Sequence, residues 1–466
     1  MKALHDPDRL LAQGLAEIRA QFRVPEGFPA ETLAAAQESA RRAPGAHAGR
    51  TAMPFVTLDP ASSTDLDQAF SIERSGADLL LHYAIADVAW FVDEGGALNR
   101  EAWVRGETTY LPDAKAGLYP PVLAEGAASL LPDGPRPAVI FTTRVAPDGS
   151  VCLDGAQRAL IRSRAKLAYE SVTAADLPAD FEELARRIAA AEDRRGAARV
   201  DPPEQEVEHE AGGDGADGHF VLRSRPMLPS ETANAALSLA TNLAVADALY
   251  KAGTGLFRVM AGPDEFAVGR LRHTARAFGL AWPAQASLEQ FERTLDPARP
   301  RDAAFMLAVR RAGEGASYVP YRAGEVPWHA AMAATYCHAT APLRRLADRY
   351  VVRAALAVAN GARVPDEVSE AFQRLPSVMS KAGARSAQVE RAVVDLAEAA
   401  ILAGREGEDF AAVVTDVGET GARFQLCELP VVARTQAHRA PPGTQIRVRL
   451  VAADPARRMV TFERIA

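Results

Sequence analysis

The spacing of apolar residues changes several times along the chain, and each change predicts a different element. Leu10, Leu11, Leu15, Ile18 and Phe22 recur three or four residues apart, the spacing of one helical face. Val24-Pro25-Glu26-Gly27-Phe28-Pro29 then reads as a turn, followed by a second helical stretch from Ala30 to about Arg42. Two short helices around a tight turn suit a helix-turn-helix or an ordinary packed pair. Apolar runs at 55–58, 79–86 and 137–143 predict strands, and the Ala-rich stretches 231–250 and 382–403 predict long helices. Residues 201–217 carry alternating glutamates and then Gly-Gly-Asp-Gly, the pattern of an exposed loop or hairpin. Near the end, short strands at 410–417, 422–426, 446–451 and 459–462 are evenly spaced around turns. Such spacing predicts a small barrel, and the OB-fold is the natural candidate. The chain therefore reads as α+β in three parts: a helical segment over 1–50, a mixed body over 51–405 and a barrel over 406–466.

Composition adjusts this picture only in places. The chain has 466 residues, 48% of them hydrophobic and 24% charged, with a net charge of -7. An acidic average is not the footprint of a nucleic-acid binder, although a binding channel needs only a local basic surface. The tail supplies one: residues 431–466 hold Arg434, Arg439, Arg447, Arg449, Arg457, Arg458 and Arg464 against Asp454 and Glu463. Elsewhere the basic residues are nearly all Arg, and the lysines are Lys2, Lys115, Lys166, Lys251 and Lys381. Cys152, Cys337 and Cys427 form no CxxC pair, which argues against a zinc site or disulfide framework and fits a reducing cytoplasm. No apolar run approaches the ~18 residues of a membrane span.

The stretch Asp59-Pro60-Ala61-Ser62-Ser63-Thr64-Asp65-Leu66-Asp67-Gln68 sets three carboxylates just after a predicted strand. Asp and Ser also crowd ordinary turns. Carboxylates this close repel one another unless a cation sits among them. Oxygen donors without nearby imidazoles or thiolates suit Mg²⁺ or Mn²⁺, and such an ion commonly serves phosphate chemistry.

This segment resembles the active-site signature of the ribonuclease II (RNB) family of exoribonucleases: a strand, Asp, five residues, Asp, any residue, Asp, Asp. Asp59, Asp65 and Asp67 match, and Gln68 departs at the last position. The resemblance extends over roughly 50–466. His82-Tyr83-Ala84-Ile85-Ala86-Asp87-Val88 is similar to the family's next strand. Arg105-Gly106-Glu107-Thr108-Thr109-Tyr110-Leu111-Pro112 and Ala165-Lys166-Leu167-Ala168-Tyr169 resemble segments that carry RNA-stacking aromatics. Tyr336-Cys337-His338-Ala339-Thr340-Ala341-Pro342-Leu343-Arg344-Arg345 resembles the family's arginine box, with Ala339 and Ala341 in place of Phe and Ser.

The resemblance implies a hydrolytic exoribonuclease that degrades single-stranded RNA 3′ to 5′ and releases nucleoside 5′-monophosphates. It implies Mg²⁺ or Mn²⁺ held by Asp59, Asp65, Asp67 and Gln68, with Asp67 and Arg344 in the catalytic roles. It places RNA contacts at Tyr110, Tyr169, Arg345 and Glu390. Each has a structural alternative: core packing for the tyrosines, a helix-start pair with Asp348 for Arg345, and a Glu–Arg surface pair for Glu390. His338 reads as a proton carrier or as a satisfied structural histidine. Two departures favour a catalytically weakened or inactive RNA-binding relative: uncharged Gln68, and Ala where the helix at 235–242 should carry the family's Glu. The family usually opens with two cold-shock-type barrels, for which the first 50 residues leave no room. A cytoplasmic monomer acting without a membrane is expected.

Overall fold

The computed structural model describes all residues except 1, 5–9, 198–203, 211–218, 226, 297–298, 313–314, 419–420, 428, 430, 436–439, 441–443 and 466. Its centre is a seven-stranded sheet. From edge to edge the strands are Ser163–Ala168, Phe55–Asp59, Gln68–Ser75, Asp78–Ala86, Arg136–Val145, Val151–Ile161 and Ala48–Gly49. The two end pairings are parallel and the others antiparallel. The central strands were legible because alternating residues such as Leu79, Leu81 and Tyr83 are buried, the period-two pattern of a sheet face. Helices Pro229–Lys251 and Leu346–Ala359 cover the sheet, and Leu237, Ala240, Leu346 and Tyr350 share one core with Phe55, Phe70 and Phe141.

The expected helix at 231–250 is the middle of Pro229–Lys251, whereas 382–403 is only the second half of a helix running Asp366–Leu402. Pro376 inside that helix conceals its first half from a sequence reading, because proline normally ends helices. Of the stretch 201–217, residues Glu204–Glu210 form a strand that pairs antiparallel with His219–Arg225, which a strand at Lys2–Leu4 extends. Its Gly-rich portion lies outside the described residues.

Both N-terminal helices exist, at Leu10–Phe22 and Ala30–Ser39. They are built into the body on different partners. The first packs on the long helix, where Leu11, Leu15 and Ile18 meet Val389, Val393 and Leu396. Gly14 permits the contact, since a Cβ there would come within 2.6 Å of Leu396 Cδ2. The second packs on helix Ala97–Arg105. The apolar faces of the pair are thus spent on the body, where a free helix-turn-helix would turn them on each other.

The C-terminal strands form one five-stranded antiparallel sheet in the order Val432–Thr435, Gly421–Leu426, Asp409–Gly418, Gln445–Asp454, Met459–Arg464. The first and last strands lie close enough to bring the sheet near closure, as an OB-type barrel requires. Ile446, Val448 and Leu450 point inward while Arg447 and Arg449 alternate outward. Arg434, Arg457 and Arg464 are also exposed, and Arg439 is outside the described residues. Among the described residues no helix is long and apolar enough to cross a membrane.

Candidate active site

Three chain segments meet at the acidic stretch. Asp59 ends strand Phe55–Asp59, and the loop that follows is held by the Ser129 hydroxyl. That hydroxyl accepts from Leu66 N–H at 2.9 Å and donates to the Thr64 carbonyl at 2.7 Å. Leu66 carbonyl accepts from Leu130 N–H, and Asp67 carbonyl accepts from Ala86 N–H. Fully buried Leu66 anchors the loop in the core, so Asp65 and Asp67 on either side are placed by packing. The arginine box supplies the second segment. Leu343 N–H donates to Asp67 Oδ1 at 2.7 Å, and Arg344 Nε lies 3.4 Å from Asp67 Oδ2. The third is the short hairpin Thr109–Tyr110 with Lys115–Ala116. Thr108 N–H donates to Arg344 carbonyl and Leu346 N–H to Gly106 carbonyl, which ties the hairpin to the arginine box. Gly106 has φ +76°, and a Cβ there would come within 2.7 Å of Ala382 Cβ. Only glycine suits both the left-handed backbone and this approach to the long helix.

The adjacent arginines have opposite surroundings. Arg344 keeps 45% of its side chain exposed. Arg345 instead gives its fork to buried Asp348, with Nε at 3.0 Å and Nη2 at 2.8 Å. Arg345 is therefore engaged in a bidentate ion pair, and Arg344 is the more exposed guanidinium of the two. His338 is buried with Nδ1 2.8 Å from Tyr318 hydroxyl. Burial, then Arg345, hold its pKa well below the ordinary range, which favours the neutral ring.

Tyr110 is 53% exposed at the hairpin, with the charges of Asp65 and Arg344 acting on its hydroxyl. Tyr169 lies at the end of the edge strand. Its N–H donates to Asp59 carbonyl, and its hydroxyl accepts from Asn234 Nδ2 at 2.8 Å. Glu390 is exposed on the long helix, four residues beyond Ser386, whose hydroxyl lies 3.5 Å from that of Thr109. Four-residue spacing puts Ser386 and Glu390 on one helical face, the face that meets the hairpin.

Burial, opposed chiefly by Arg344, pushes the Asp59 carboxyl up to about 6 and that of Asp67 to about 7. Asp59 Oδ2 is buried without a hydrogen-bond partner. Carboxylates left in this condition are a donor set with charge to spare, and they fit a hard divalent cation. The fit is partial: among the described residues no three His, Cys, Asp or Glu side chains are grouped to hold a metal by themselves. Gln68 opens its strand half-buried and brings an oxygen but no charge.

Several contributors escaped the sequence reading. Lys115 Nζ lies 2.8 Å from Asp65 and 3.1 Å from Glu125. Asn234, Ser238 and Asn242 form a polar line on helix Pro229–Lys251. Asn234 holds Tyr169, Ser238 bonds Thr340, and Asn242 Oδ1 accepts from Ala339 N–H. Their spacing of four within an Ala-rich helix was the available signal.

Residues 50–360 match the RNB domain. The chain belongs to the RNB family. Residues 408–465 match the RNase II-type exonuclease C-terminal S1 domain, the barrel described above. Among curated relatives, Ribonuclease R of Aquifex aeolicus is 27% identical over 457 residues, covering 88% of this RNB chain and 63% of that protein. Exoribonuclease 2 of Cronobacter sakazakii is 29% identical over 411 residues, covering 82% and 61%. The chain thus spans just over three-fifths of the length of the curated relatives it matches. Mycoplasma genitalium RNase R, solved in complex with ribose methylated single-stranded RNA, superposes with a TM-score of 0.83 at 18% identity, covering 100% of this chain and 79% of that one. Yeast Ssd1, described as a pseudonuclease, superposes with a TM-score of 0.69 at 14% identity, covering 96% and 57%. The RNB fold is therefore shared by a nuclease and a pseudonuclease, and residues of the site must separate the two readings.

Proposed function

We propose that this RNB chain is a divalent-metal-dependent exoribonuclease. In this reading it hydrolyses single-stranded RNA 3′ to 5′ and releases nucleoside 5′-monophosphates. The observation that carries the reading is the convergence of partly uncompensated Asp59 and Asp67 with the exposed guanidinium of Arg344, 3.4 Å from Asp67. Tyr110 and Tyr169 stack on the last nucleotides, a sequence-tolerant contact worth ~1–3 kcal/mol per base, and Glu390 adds a polar contact from the hairpin side. Asp59, Asp65 and Asp67, with the Gln68 oxygen, would hold Mg²⁺ or Mn²⁺. Such a cation would polarise the scissile phosphate and lower the pKa of water. Arg344 stabilises the negative charge that grows on the phosphoryl oxygens. Asp67 keeps Arg344 in place, itself oriented by Leu343 N–H. Water forms a bond to phosphorus and gives up a proton to solvent, the bond to the preceding 3′ oxygen breaks, that oxygen takes up a proton as a hydroxyl, and the terminal nucleotide leaves with the phosphate. The outward arginines of the barrel follow the backbone of the entering strand. The chain acts as a cytoplasmic monomer.

A second reading, an RNA-binding relative with little or no turnover, is favoured by Gln68 and by the engagement of Asp65 with Lys115. End-labelled single-stranded RNA incubated with purified protein and Mg²⁺ or Mn²⁺ separates the two. Release of mononucleotides that is lost in Asp67→Asn supports the enzyme. RNA retention without mononucleotides in either metal supports the second reading.

A further inference from the structure

The three carboxylates differ in what neutralises them. Asp67 faces Arg344 at 3.4 Å. Asp65 Oδ1 accepts from Lys115 Nζ at 2.8 Å. Asp59 keeps a buried Oδ2 with no partner. Lys115 does not reach Asp65 as a swinging surface side chain. It sits in the hairpin directly opposite Tyr110, and Glu125 holds its ammonium from the other side at 3.1 Å. The hairpin turn is fixed in turn by Arg19 of the first helix, 2.5 Å from Asp113. A lysine anchored by two carboxylates on a braced hairpin is a fixed positive charge. Gln68, meanwhile, removes one negative charge from the four positions of the signature.

We propose that Lys115 is a positioning residue of this site. Its ammonium occupies the electrostatic place of a second divalent cation at Asp65, so that the RNA-free chain binds no more than one. The charge count supports this. Asp67 faces Arg344, and Asp65 shares the Lys115 ammonium with Glu125; Asp59, on which Arg344 and Lys166 act without a hydrogen bond to its buried Oδ2, is left as the centre for a single cation. An ammonium at hydrogen-bond distance from a carboxylate oxygen excludes a second cation from that oxygen by both contact and repulsion. The inference rests on the metal-dependent reading above, and it adds a residue that no part of the acidic signature indicates.

The test is a Mn²⁺ titration of the RNA-free full chain, followed by electron paramagnetic resonance of the unbound ion. Wild type is expected to bind one Mn²⁺ or none. Lys115→Met is expected to bind one more, or to bind the first about tenfold more tightly, and Lys115→Gln is expected to follow it. Lys115→Arg, which restores a cation, should return to the wild-type count. Equal or weaker Mn²⁺ binding in both neutral variants overturns the proposal, including the case in which neither they nor wild type bind any. Circular dichroism confirms that each variant is folded, and the two neutral substitutions guard against a defect of one side chain. RNA degradation by the same preparations separates the two claims. Mononucleotide release with both Mn²⁺ count and affinity unchanged in the neutral variants removes the role of Lys115 and leaves the nuclease standing. No release by wild type removes the nuclease, while the Mn²⁺ count still reports on Lys115.

Discussion

Arg344 and Arg345 are neighbours in sequence with the same charge, yet the structure assigns them different work. Arg345 is spent on Asp348, which is fully buried and also accepts from Ala341 N–H at 2.8 Å. Removing Arg345 leaves a buried carboxylate unpaired, a change that typically costs ~3–5 kcal/mol. Arg344 is half exposed, and in the proposed reading it contributes mainly to the reaction. We therefore expect Arg345→Ala to lower the midpoint of urea unfolding strongly. Arg344→Ala should keep that midpoint and slow RNA hydrolysis by ~10²–10³. Unfolding curves and single-turnover rates measured on both variants check the contrast, and equal stability losses would contradict it. The identities of these residues were legible as a motif. Their division of labour was not, because it depends on which guanidinium the fold covers.

At the scale of elements, the small helical lobe gives a pH-dependent prediction independent of the site. Helices Glu265–Ala277, Leu288–Glu292 and Pro300–Ala312 pack around Leu271, Phe278, Phe291 and Phe305. Glu292 is buried with them. Burial first, and then Glu289, push its carboxyl from 4.5 up to about 7. The folded state thus holds a proton over a range where the unfolded chain has lost it. Below pH 4.5 the group is neutral in both states and costs nothing. As pH rises toward and through 7 its stability cost grows, to an order of magnitude of about 3 kcal/mol above pH 8. Glu292→Gln should match wild type near pH 4 and exceed it increasingly up to pH 8. Chemical denaturation at four or five pH values would show this, and a difference that is flat with pH would refute it. Sequence patterning missed this lobe because its core is made of scattered aromatics on three short helices.

Over the whole molecule, the first helix is a brace. It packs on the long helix, its Arg19 holds the hairpin, and Gln21 accepts from Arg458 of the barrel. Deleting residues 1–45 uncovers Val389, Val393 and Leu396 and frees the hairpin that carries Tyr110 and Lys115. We expect the melting temperature to fall by at least about 5 °C, with RNA affinity falling as a consequence. A truncated chain with an unchanged melting temperature and weakened RNA binding would instead restore a direct binding role for the helices. The same integration holds at the other end of the chain, where Glu398 on the long helix accepts from Val432 N–H of the barrel at 2.8 Å.

What the sequence determined by itself was local. Strand 79–86, helix 231–250 and the barrel strands follow from the period of their apolar residues, and the order Asp59, Asp65, Asp67, Tyr110, Arg344 carried the family. Only the tertiary structure decided which charges meet. Lys115 lies 50 residues from Asp65, Leu343 lies 276 residues from Asp67, and Asn234 lies 65 residues from Tyr169. No periodicity encodes such pairs, because hydrogen bonds and Coulomb forces act through space while patterning acts along the chain. The acidic signature was therefore visible in one dimension, but its balance of charge is set by residues the fold brings from elsewhere.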